Sequence, residues 1–177
     1  MLEKMKKEME EIRTRLINLV ALCAEYCSTV ENCREVEQKE LTETLLGQLP
    51  RIYFEFHDID AGENTSLDEW GTGVSDHLDE QQYESVRMQL AVAFGEDDTY
   101  LETFEKDMKY SDTPIATTIS ENLADIYQPL YDFVVEVRES EGENLEEAYR
   151  ACKEGFREYW SQTLCNVLRA LNAICNA

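Results

Sequence analysis

Placed at about 100° per residue, Met5, Met9, Ile12, Leu16, Leu19, Val20, Cys23, Cys27 and Val30 fall in one apolar stripe, with Lys, Arg and Glu elsewhere. This pattern predicts a first helix over roughly residues 2–36. Leu41, Leu45, Leu49, Ile52 and Phe56 keep the same period in a second helix running to Asp58. Pro50 falls on its opposite side, where a kink is tolerated despite the lost hydrogen bond. Tyr83, Val86, Leu90 and Phe94 mark a third helix that starts near Leu78 and ends at Gly95. From Thr118, the residues Leu123, Ile126, Tyr127, Leu130, Val134 and Val137 face one way and Glu121, Asp125, Asp132 and Glu136 the other, with Pro129 predicted to bend that helix. Ser140-Glu141-Gly142 closes it. Asn144, with Glu147 three residues on, predicts a capping box for a last helix, whose inward residues are Leu145, Tyr149, Cys152, Phe156, Trp160, Val167, Leu171 and Ile174.

Between these elements the period fails in two places. Gly62, Asn64, Gly71 and Gly73, with several Ser and Thr residues, predict a mobile loop over about 59–77. From Glu96 to Pro114 only short apolar pairs occur, predicting irregular turns with one short helix. The fold expected is all-α: a single domain over residues 1–177, a helical bundle of about five main helices, with an acidic loop region between the second and third.

Composition agrees with that picture and narrows the partners. Hydrophobic residues make up 43% of the 177, and only 7 Gly and 3 Pro are present; a chain this long buries roughly 70% of its unfolded surface without crosslinks. The net charge is −22, and 17 carboxylates against 3 Lys or Arg lie between Glu55 and Asp112. Phosphate backbones and anionic membranes reward the opposite sign, so neither nucleic acid nor membrane is expected as a partner. The N-terminal residues Met1 to Glu8 lead into a stretch broken by Asn18, which does not read as a signal peptide. A cytoplasmic location with reduced cysteines is therefore expected.

Candidate chemistry is sparse. Cys23 and Cys27 are one helical turn apart but lie in the middle of the apolar stripe, and buried cysteine behaves as a small hydrophobe. Cys152 faces inward while Cys165 lies about 140° from it on the helix, with Cys175 between, so no common ligand face exists. There is no Cys-x-x-Cys, and neither His57 nor His77 has a Glu three residues before it, as a di-iron bundle requires. Both histidines read as surface residues. Asp58, Asp60 and Glu69 occupy the first, third and twelfth places of a calcium loop, but Gly62 and Glu63 stand where an oxygen ligand and a turn glycine are needed. No metal or cofactor is predicted.

The run Met108-Lys109-Tyr110-Ser111-Asp112-Thr113-Pro114-Ile115 and the element Leu123-Ala124-Asp125-Ile126-Tyr127 resemble an uncharacterised bacterial family, domain of unknown function 5063. The similarity extends to Tyr26, Val30-Glu31-Asn32, Leu49-Pro50 and Gly95-Glu96-Asp97-Asp98-Thr99-Tyr100-Leu101. The resemblance implies an all-helical bacterial intracellular domain and brings no catalytic residue with it. The expected function is a noncatalytic interaction module whose acidic surface, with Glu96, Asp97, Asp98 and Glu102 as the candidate patch, binds a basic protein partner. The alternative is a small-molecule-binding bundle or hydrolytic enzyme with a Tyr and carboxylate pocket near Tyr127 and Tyr131. The oligomeric state is left open, because the stripe from Met5 to Val30 fits a heptad seam and a bundle core equally.

Overall fold

In the computed structural model, residues 2–62, 75–102 and 115–177 are described. They form an all-α bundle: α1 (Leu2–Glu31), α2 (Gln38–Asp58), α3 (Glu80–Phe94), α4 (Ile119–Glu139), α5 (Leu145–Gly155) and α6 (Ser161–Cys175). The central element is α4, which packs against α1, α3, α5 and α6. It shows why the helices lie where the apolar period puts them: Ile119, Leu123, Ile126, Tyr127, Leu130 and Phe133 are all buried.

Helix α1 is shorter than its stripe predicted, and its first two turns stand outside the core. Met5 is 53% and Met9 68% exposed, whereas Leu16, Leu19, Cys23, Tyr26 and Val30 are buried. Periodicity records a face but not what covers it. At the other end, Asn32 turns back to donate to the Ser28 carbonyl at 2.8 Å, and Cys33 is buried beyond the helix.

The caps explain most boundaries. Asp79 accepts from the Gln82 N–H at 2.7 Å and opens α3, and the Thr118 hydroxyl accepts from the Glu121 N–H at 3.2 Å and opens α4, each satisfying an orphan donor of a first turn. Gly142, with φ +83°, donates to the Val137 carbonyl at 2.8 Å, the six-residue closure that needs a left-handed residue after a helix. One expected cap is absent. Asn144 makes no side-chain cap; its amide instead donates to Glu136 Oε1 at 3.0 Å, tying the turn to α4.

After α3, a 3-10 turn over Gly95–Asp98 leads into β1 (Thr99–Leu101), which pairs antiparallel with β2 (Ala116–Thr118), Thr99 opposite Thr118 and Leu101 opposite Ala116. The irregular turns expected from Glu96 onward thus begin as a short ladder. Their remainder, residues 103–114, lies outside the described residues.

Phe56 is the hub of the core. Its ring packs against Phe133, Tyr149, Phe156 and Trp160 with centroids 4.9 to 6.2 Å apart, binding α2 to α4 and to the last helical rod. Buried tyrosine hydroxyls are satisfied by neighbouring backbones: Tyr26 donates to the Leu123 carbonyl at 2.8 Å and Tyr149 to the Ile59 carbonyl at 2.9 Å.

Candidate functional site

The four carboxylates of the expected acidic patch do not share one surface. Glu96 and Asp97 are exposed, and Asp97 accepts from Gln38 at 2.8 Å. Asp98 is buried, 8% exposed, and takes the Ser120 N–H at 2.7 Å and the Ser120 hydroxyl at 2.8 Å. It caps α4 from the ladder side. Glu102 is also buried and accepts from the Asn166 amide on α6. Both carboxylates are used inside the fold: Asp98 satisfies a first-turn N–H of α4, and Glu102 ties the end of the ladder to α6.

Other candidates also found places in the scaffold. Cys23, Cys27 and Cys152 are buried, and burial pushes each thiol well above its ordinary range. His57 is exposed, but His77 is part-buried, contrary to the surface reading, with Nε2 2.9 Å from Glu136. Tyr127 does not line the cleft that Pro129 lines. It donates to Glu31 at 2.7 Å and borders a groove of about 560 Å³ lined by Glu31, Asp79, Gln82 and Ser85. The calcium-loop lookalike falls mostly outside the described residues, as does most of the loop over 59–77, whose near end is anchored through the Ile59 and Ala61 carbonyls. Among the described residues no group of three or more His, Cys, Asp or Glu side chains is arranged to hold a metal ion, and no helix is long and apolar enough to cross a membrane.

The most distinctive feature is a cleft of about 850 Å³ between α4 and the last rod. Two helix irregularities line it. On α4, Pro129 lacks an N–H, so the Asp125 carbonyl one turn earlier loses its intrahelical donor. Facing it, α5 and α6 are joined by a π-helical turn, Phe156–Trp160, in which the Ser161 N–H reaches back five residues to the Phe156 carbonyl. The sequence carries the signal for this turn. The core residues Cys152, Phe156, Trp160 and Leu164 are spaced by four three times in succession, and each such step overshoots an α-helical turn by about 40°. One wider turn absorbs the drift and keeps all four buried. Such π-bulges recur at functional sites.

Carboxylates from three chain segments line the cleft: Asp76 before α3, Asp125 and Asp132 on α4, and Glu158 in the π-turn, with Arg157 the one basic lining residue among the described residues. Asp132 Oδ1 accepts the N–H groups of His77 and Leu78, both at 2.8 Å, and thereby docks the start of the α3 segment onto α4. Desolvation pushes its carboxyl above the ordinary aspartate range, and those two N–H bonds only partly offset this. Asp125 accepts from the Tyr83 hydroxyl at 2.7 Å; desolvation likewise raises it, with the Tyr83 bond pulling down. Trp160 is 3% exposed, and its indole N–H is buried with no hydrogen-bond partner among the described residues. Sequence reasoning placed Trp160 in the core but could not show that its polar edge would be left over.

The family model described as a domain of unknown function (DUF5063) matches residues 10–176. Protein BF1032 from Bacteroides fragilis, known from a crystal structure, is 29% identical, with 90% of this chain and 91% of that one covered and a TM-score of 0.76. No curated protein matches the chain.

Proposed function

The chain belongs to the family of domain of unknown function 5063, and from that premise we propose that it is a noncatalytic interaction module whose acidic cleft between α4 and the π-turn receives a basic segment of a protein partner. The observation that carries this is the convergence of Asp76, Asp125, Asp132 and Glu158 on one cleft, in a chain whose net charge of −22 also steers a basic partner from a distance. The carboxylates on α4 are engaged by a backbone pair and a tyrosine hydroxyl, an arrangement that holds negative charge in place and poises neither for proton transfer to a reacting group.

The test is retention of a partner from the native cell extract at low and high salt, comparing the Asp76→Asn/Glu158→Gln variant with the control Glu96→Gln/Asp97→Asn. A stoichiometric basic protein should be retained at low salt, released at high salt, and held roughly fivefold more weakly by the cleft variant, while the control behaves as wild type. Equal retention by both variants would remove the cleft from the interaction.

A second reading, a small polar ligand, is favoured by the groove beside Tyr127, where its hydroxyl, Glu31 and Gln82 converge. A thermal-shift screen of polar metabolites with wild type and Tyr127→Phe separates it from the first: a shift abolished by the variant supports it.

A further inference from the structure

The buried indole of Trp160 gives the cleft a requirement that charge alone does not. Buried polar groups are nearly always paired, and the Trp160 N–H, 97% enclosed with its residue, has no partner among the described residues. An indole can only donate, so what completes it is an acceptor oxygen. The cleft's lining carboxylates, Asp76, Asp125, Asp132 and Glu158, outnumber Arg157, so the cleft repels an anionic acceptor and favours a neutral one carried by a cation. Gly155, also in the cleft wall, places no side chain against this edge: a Cβ there would lie 3.6 Å from Nε1 and 3.7 Å from Cδ1 of the ring.

We infer that Trp160 Nε1 donates to a backbone carbonyl of the bound segment, so that the cleft recognises a peptide carbonyl together with a neighbouring Lys or Arg side chain held by the carboxylates. This rests on the reading of the cleft as the seat of a basic partner. Gly155 acts as the gap through which the carbonyl reaches the indole. Replacing it with alanine fits sterically, since 3.6 Å is ordinary contact, and alanine favours the helix, so Gly155→Ala closes the approach without harming the fold.

The experiment follows the indole N–H resonances of ¹⁵N-labelled protein, of which the chain's 2 tryptophans give one each, with the Trp160 signal assigned by its loss in Trp160→Phe. The probes are the acetylated amides of Gly-Arg-Gly and Gly-Lys-Gly, with butylguanidinium as a cation lacking a carbonyl and oligo-arginine, which carries both groups at higher charge, as a positive control. Saturable downfield movement of the Trp160 signal with the tripeptides and not with butylguanidinium is expected. Gly155→Ala should weaken tripeptide binding about tenfold with an unchanged or raised Tm. Tripeptide binding that leaves the Trp160 signal still and is unaffected by Gly155→Ala overturns the inference while leaving the basic-partner reading intact. Failure of the tripeptides and of oligo-arginine to bind at low salt overturns both.

Discussion

Two acidic regions of this molecule place their carboxylates in different settings. In the segment from Gly95 to Glu102, Glu96 and Asp97 stay exposed while the other two carboxylates are consumed by folding: Asp98 closes the start of α4 through Ser120, and Glu102 reaches Asn166 on α6. Elsewhere, Asp125, Asp132, Asp76 and Glu158 line an open cleft, where burial raises the two on α4 and an indole donor in the wall stays unpaired. A run of acidic residues therefore identifies a site less well than the state of their partners. Asp98 and Glu102 are closed inside the fold; Asp125 and Asp132 also accept hydrogen bonds, yet they line a cleft whose wall holds an unused donor.

Three substitutions sharpen that contrast, beginning with the largest effect. Phe56→Ala removes the ring against which Trp160, Phe156, Tyr149 and Phe133 pack and should cost about 3–5 kcal/mol in denaturant unfolding; a loss below about 1 kcal/mol would mean that the aromatic cluster does not hold the cleft floor. Asp98→Ala should cost about 2 kcal/mol, because two charge-assisted bonds at the start of α4 disappear, yet basic-peptide affinity at the cleft should be unchanged. If that affinity falls with stability intact, the two regions do not divide the labour as described.

Asp132→Asn acts in the cleft itself. The folded-state carboxyl titrates above the ordinary aspartate range, so the folded state holds this proton more tightly than the unfolded chain. Its contribution to stability is then greatest below the unfolded pKa of about 3.9 and is lost as pH rises through the raised folded value. Asparagine keeps an oxygen for the His77 and Leu78 N–H groups and carries no charge to desolvate. The variant should match wild type in acid and exceed it at neutral pH, measured as the difference between their unfolding curves across pH. A variant less stable than wild type at neutral pH would show that the charge strengthens the two N–H bonds by more than its burial costs.

The helices were legible because burial follows the apolar period: Leu41 to Phe56 and Leu123 to Leu130 are buried as their spacing requires, and Asp79, Thr118 and Gly142 are local signals that act locally. Met5 and Met9 share that period and remain exposed, since a stripe does not say whether another element reaches it. Asn144 and Glu147 had the spacing of a capping box, but Glu136 on the preceding helix competes for the amide. By itself the sequence determined the helical class, most helix boundaries and an acidic charge that no folding can remove, all properties of neighbours along the chain. Only the tertiary structure decided which carboxylates were spent on backbone N–H groups, which were gathered from three segments into one cleft, and that the Trp160 N–H would be left without a partner. Those outcomes depend on distances between residues such as Asp98 and Ser120, or Asp132 and His77, that lie far apart in sequence and are fixed only when the helices pack.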